Sequence, residues 1–141
     1  MEGYDIRDSG FPSLLEGWTA LYRVVIADDL AEFLAWFRGL LEGSQDFQVV
    51  AEGSTGQEAL RLAKLVQPDL VIADLDMPEL DGLEVARQLR GQQPDVKVIL
   101  ISTQADQEYE TLAREEGALA FIPKAQLSLE ALRQALAQGE G

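Results

Sequence analysis

Cysteine and histidine are both missing from the chain. Without cysteine there is no disulfide framework, no thiolate nucleophile and no cysteine-held zinc or iron–sulfur cluster. Without histidine the Ser-His-Asp and Cys-His arrangements are excluded, together with imidazole general bases and histidine-held zinc. Positive charge is scarce as well: 11 Lys and Arg stand against 25 Asp and Glu, a formal net charge of −14. Such a chain repels phosphate backbones, so nucleic-acid binding by this segment is not expected. No apolar run approaches the roughly 20 residues of a membrane-spanning helix. The opening MEGYDIRDSG has no basic region followed by an apolar stretch, so a secretory signal is not expected and the cytoplasm is the expected compartment. Chemistry is left to carboxylates, hydroxyls, amines and a hard metal ion.

The 141 residues, 47% of them apolar, suit one domain with a proper core. Residues 1–20 break any period with Gly3, Gly10, Pro12 and Gly17. They read as an N-terminal extension, partly disordered, before a domain over residues 21–141. From Tyr22 onward short apolar runs alternate with amphipathic stretches. The runs are Arg23–Ala27, Phe47–Glu52, Leu70–Ala73, Val96–Ile101 and Ala118–Ile122, numbered β1 to β5. Mostly too short for helices and bounded by turn residues, they suit strands buried on both faces. The stretches Leu30–Leu41, the one opening at Thr55-Gly56-Gln57-Glu58 and running to about Val66, Leu83–Arg90, Asp106–Glu116 and Ser128–Gln138 are numbered α1 to α5. Thr55-Gly56-Gln57-Glu58 is a capping box for α2, Asp106 and Ser128 are caps for α4 and α5, and Gly117 suits the end of α4. α4 has few apolar anchors, chiefly Tyr109 and Leu112. Alternating βα units imply an α/β fold with a parallel sheet between helical layers. A flavodoxin-like (βα)5 sandwich of strand order 2-1-3-4-5 is the leading choice, with ligands at the carboxyl ends of the strands.

At that edge the sequence places Asp28 and Asp29 after β1, Asp74 and Asp76 after β3, Ser102 and Thr103 after β4, and Lys124 after β5. Strands 1, 3, 4 and 5 are neighbours in this order, so these groups face one crevice. Clustered carboxylates stay ionised at neutral pH only when a cation compensates them. With no histidine or thiolate, Mg²⁺ or Mn²⁺ is the suitable ion. Lys124 can neutralise a second anion, and Ser102 can donate to it. Together these are the parts of a phosphoryl-transfer site with an Asp nucleophile.

The motifs VVIADDL, PDLVIADLDMPELDGLEV, VKVILIST and ALAFIPK, in this order, resemble the CheY-like receiver domain of two-component response regulators from about Tyr22 to Gln138. The resemblance implies a phosphorelay signalling protein rather than a turnover enzyme. It makes Asp74 the phosphoacceptor and Lys124 the phosphate-pairing lysine. Asp29 would hold the Mg²⁺ directly, Asp28 mainly through water, and Asp76 through its backbone carbonyl. Ser102 and Phe121 would be the switch pair acting on the α4-β5-α5 face, the Phe121 ring turning inward on phosphorylation. The partner would be a sensor histidine kinase or phosphotransfer protein, with a homodimer left open on phosphorylation. Ala125 stands where much of the family has Pro after a cis peptide, and Leu30-Ala31-Glu32 offers no basic or polar donor to the phosphate. LEGSQDFQVVAEGSTGQEAL resembles the subclass that precedes a LuxR-type helix-turn-helix, so DNA would be reached only through an output domain beyond Gly141. A phosphorylation-independent binding module and a haloacid-dehalogenase-like phosphatase remain alternatives. So does a flavodoxin-like flavin site, although it would need a phosphate loop where Asp28-Asp29 stands.

Overall fold

The computed structural model describes residues 21–104 and 106–140, so the reading of residues 1–20 lies outside the described residues. Five strands form one parallel sheet in the order β2-β1-β3-β4-β5, as expected. They span Tyr22–Ala27, Phe47–Gly53, Leu70–Asp74, Lys97–Ser102 and Ala120–Pro123. The helices span Ala31–Glu42, Gly56–Val66, Gly82–Gln92, Gln107–Glu115 and Leu129–Glu140, and keep the labels α1 to α5.

Continuous apolar strands are what a sheet covered on both sides requires. Successive side chains point to opposite faces. Val24, Ile26, Leu70, Ile72, Ile99 and Ile101 therefore meet Phe37 and Leu41 of α1 and Leu132 and Leu136 of α5. Val25, Val71, Ala73, Val98 and Leu100 meet Ala59 and Ala63 of α2, Val85 and Leu89 of α3, and Ala113 of α4. All five residues of β3 are buried, which places Asp74 at the end of the most enclosed strand.

The caps follow the sequence signals. Thr55 accepts from Glu58 N–H, Asp81 from Glu84 N–H, Asp106 from Glu108 N–H and Ser128 from Ala131 N–H. Each such cap contributes about 1 kcal/mol. The capping box is displaced by one residue: the Glu58 carboxylate accepts from Ser54 N–H at 2.7 Å. β5 starts at Ala120, later than expected, because Ala118 N–H is spent on the Ala113 carbonyl in closing α4. That closure uses Gly117 at φ +99°, a left-handed turn suited to glycine. α4 is rotated from the expected setting. Ala113, one turn beyond half-buried Tyr109, takes the core position, and Leu112 is 40% exposed. Among the described residues every peptide bond is trans, Lys124–Ala125 included, and Lys124–Gln126 forms a 3₁₀ turn that the sequence did not announce.

Candidate functional site

The strand ends bring the expected residues together. β1 delivers Asp28, whose N–H bonds the Gly53 carbonyl at the end of β2. β3 delivers Asp74, opposite Ile101, and Leu75 N–H bonds the Ile101 carbonyl at 2.8 Å. Ser102 pairs with Pro123 at the β4/β5 edge, so Lys124 emerges one residue beyond the sheet. Gly82 lets α3 begin against this edge. A Cβ there would lie 2.6 Å from the Asp74 carbonyl oxygen. Gly56 does the same for α2, since a Cβ there would lie 1.9 Å from the Leu80 carbonyl oxygen.

Oxygens of Asp28, Asp29 and Asp74 lie within 4.8 Å of one another. Asp29 is exposed, whereas Asp28 is fully buried and Asp74 nearly so. Asp28 Oδ1 accepts from Leu30 N–H at 2.9 Å. Asp28 Oδ2 is paired with Lys124 Nζ at 2.6 Å. The same ammonium donates to Asp74 Oδ2 at 3.3 Å, while Asp74 Oδ1 accepts from Asp76 N–H at 3.1 Å. Burial is the largest influence on Asp74 and raises its pKa. The Asp76 N–H opposes burial, the Asp28 charge adds to it and Lys124 opposes it, leaving the value at about 6. Burial works against the Lys124 charge, yet the Asp28 hydrogen bond and the Asp74 and Asp28 charges outweigh it and raise its pKa. Lys124 is held as the cation.

Ser102 is fully buried. Its hydroxyl donates over a long 3.4 Å to Asp76 Oδ2 and accepts from Gln104 N–H at 3.1 Å. The carboxylate of Asp76 stays outside the acidic cluster, and Thr103 is exposed. Phe121 is 8% exposed, with its ring centroid 6.2 Å from that of Tyr109. The ring expected to turn inward is thus already enclosed against α4. Phe33 lies within the amphipathic stretch of α1. Its ring centroid is 4.2 Å from Lys124 Nζ. The i, i+3, i+4 spacing of Phe33, Trp36 and Phe37 was the available signal.

The donor set suits a hard cation. It offers three carboxylates and no nitrogen or sulfur ligand. Beside it Lys124 stands as a fixed cation, 2.6 Å from Asp28 Oδ2 and 3.3 Å from Asp74 Oδ2. The response regulator receiver domain, as a family, matches residues 24–137. The chain belongs to this family. The receiver is 37% identical over 118 residues to the chemotaxis protein CheY of Listeria monocytogenes, which covers 82% of this chain and 98% of that protein. It is 38% identical over 99 residues to the uncharacterized transcriptional regulatory protein YhcZ of Bacillus subtilis, which covers 70% of this chain and 46% of that protein. Against the transcriptional regulatory protein DegU of Brevibacillus brevis it spans 48% of that protein, so the chain spans about half the length of these regulators. The signal receiver domain of the putative response regulator NarL from Mycobacterium tuberculosis has a TM-score of 0.79 at 31% identity, covering 86% of this chain and 98% of that one. A LuxR-family response regulator from Aurantimonas supports the same subclass, with a TM-score of 0.79 at 26% identity over 86% of this chain and 87% of that one. The receiver is therefore of the NarL and LuxR kind. Among its described residues no helix is long and apolar enough to cross a membrane.

Proposed function

We propose that this receiver is a phosphorylation-gated switch in which Asp74 takes a phosphoryl group from the phosphohistidine of a sensor histidine kinase or phosphotransfer protein. The observation that carries the reading is the setting of Asp74. It ends the buried strand β3 within 4.8 Å of two further carboxylates and 3.3 Å from a lysine. An Asp74 carboxylate oxygen attacks phosphorus in line. The P–N bond to the donor imidazole breaks, and the nitrogen keeps the electron pair. The chain has no histidine, so the donor is another molecule. Lys124, already charged and in place, pairs with a phosphoryl oxygen as negative charge gathers there.

Asp29 and Asp74 would hold Mg²⁺ or Mn²⁺ directly, Asp76 through its backbone carbonyl, and Asp28 mainly through water. The engagement of both Asp28 oxygens with Leu30 and Lys124 supports that indirect share. When bound, the ion supplies positive charge against the transferring phosphoryl group. Water later attacks phosphorus, and the bond to Asp74 breaks. Under this reading the chain is a phosphoacceptor and turns over no small substrate.

The long Ser102–Asp76 bond supports Ser102 as the switch hydroxyl, because little is lost when it turns to the phosphoryl group. β4 and α4 are then drawn inward, and the Tyr109–Phe121 contact carries the shift to the α4-β5-α5 face as a change of populations. The cytoplasm is the compartment, and a homodimer on that face is one output. The test is incubation with acetyl phosphate in Mg²⁺ or in EDTA, followed by intact mass. One added phosphoryl group in Mg²⁺ alone is expected. No addition with either acetyl phosphate or a phosphorylated kinase would make the chain a phosphorylation-independent binding module.

A further inference from the structure

α1 carries an aromatic shelf beneath the crevice. Phe33, Trp36 and Phe37 occur at i, i+3 and i+4, a spacing that puts side chains on one helix face. The Phe33 ring lies 5.5 Å from Phe37 and 5.7 Å from Trp36, centroid to centroid. Phe37 is fully buried, so the shelf is braced against the core, whereas Trp36 is 51% exposed. The half-buried Phe33 ring lies between this brace and the Lys124 ammonium, whose nitrogen is 4.2 Å from its centroid. That is well inside the range at which a ring attracts a cation, and the attraction strengthens where water is excluded. Only 10% of the Lys124 side chain remains exposed.

Lys124 has two other partners, Asp28 and Asp74. Both belong to the carboxylate cluster, so Lys124 shares them with any divalent cation bound there, and like charge repels the ammonium. Lysine has a flexible four-carbon stem and a strongly hydrated head, so an ammonium repelled in this way is drawn toward water. The π face of Phe33 is an attraction aimed at Lys124 alone. It offers nothing to hard oxygen-seeking ions, which take carboxylates, carbonyls and water.

We propose that Phe33 is a positioning residue that holds the Lys124 ammonium in the crevice through its ring face while the carboxylates are engaged elsewhere. This rests on the reading of Asp74 as phosphoacceptor. Phe33→Leu keeps an apolar side chain and removes the ring; Phe33→Tyr keeps the ring. In the metal-free 141-residue chain, the ε-methylene protons of Lys124 should resonate upfield of ordinary lysine in the parent and in Phe33→Tyr. They should return to the ordinary position in Phe33→Leu. With acetyl phosphate and Mg²⁺, labelling of Asp74 should slow roughly three- to tenfold in Phe33→Leu and stay close to the parent rate in Phe33→Tyr. Unshifted Lys124 protons in the parent would refute the contact. Equal labelling rates in the parent and a folded Phe33→Leu would refute the positioning role, as would equal slowing in both variants. A parent chain that takes no phosphoryl group refutes the phosphoacceptor reading instead, and the proton shifts then still decide whether Phe33 holds Lys124.

Discussion

Replacing Gly56 by alanine should destabilise this receiver, although glycine to alanine in a helix ordinarily does the opposite. The added Cβ would lie 1.9 Å from the Leu80 carbonyl oxygen and 2.7 Å from the Leu80 Cβ. Carbon and oxygen approach no closer than about 3.3 Å even in favourable contacts. The start of α2 and the β3–α3 loop must therefore separate by about 1.4 Å. The obstacle is backbone, so no side-chain rotation relieves it. Overpacking of this kind costs about 1–3 kcal/mol, occasionally more. Against it stand about 0.5–1 kcal/mol from lower unfolded-state entropy and better helix propensity. The net loss is about 1–2 kcal/mol, or roughly 3–10 °C in melting temperature for a domain of this size. Gly39 supplies the control. It lies in α1 with no atom within 4 Å of an added Cβ, so Gly39→Ala should raise the melting temperature by a few degrees. Thermal unfolding followed by circular dichroism would compare the two. The Leu80 loop joins Asp74 to α3, so Gly56→Ala should also slow labelling by acetyl phosphate. A Gly56→Ala protein as stable as Gly39→Ala would refute this account of the α2 contact.

Asp46, buried in the α1–β2 loop, accepts from Arg133 Nε at 2.7 Å and from its second nitrogen at 3.0 Å. The Arg133 hydrogen bonds are the largest influence on Asp46 and hold its pKa below the usual carboxylate range, against the opposing effect of burial. A depressed folded-state pKa gives stability that is present above the unfolded value of about 3.9 and lost as pH falls through the folded one. The stability gap between the parent and Arg133→Met, read from urea midpoints, should thus be full at pH 7 and shrink in acid below about pH 4. Mg²⁺ at ten times its dissociation constant should stabilise the parent by about 1.4 kcal/mol, and Asp29→Ala should lose that gain, as thermal scans with and without EDTA would show. With beryllofluoride standing in for the phosphoryl group, amide exchange should change most in β4, α4 and β5, because Ala113 is the one fully buried residue of α4.

The elements were legible where a local signal sufficed. Bounded apolar runs marked the strands, and Thr55, Asp106 and Ser128 marked helix starts because a cap acts within three residues. The acidic pair, Asp74, Ser102 and Lys124 could be placed together before any coordinates, since parallel strand order alone carries their ends to one edge. What stayed hidden depends on distance in the chain or on orientation. Asp46 and Arg133 are 87 residues apart and share no motif. Phe33 fits the amphipathic spacing of α1, and spacing says nothing of a lysine arriving from β5. The exposure of Leu112 follows from a rotation of α4 that a nine-residue, glutamate-rich helix leaves open to its packing. The closeness of Gly56 to Leu80 is a contact between backbones, and no side-chain pattern encodes it.

The carboxylate of Asp74, and no other, should carry the phosphoryl group. Borohydride reduces an acyl phosphate of aspartate to homoserine, which peptide mass spectrometry then locates. After labelling with acetyl phosphate and Mg²⁺, homoserine is expected at position 74 alone and nowhere in Asp74→Asn. Homoserine at Asp28, Asp29 or Asp76 in the parent, or equal labelling of Asp74→Asn, would contradict the account.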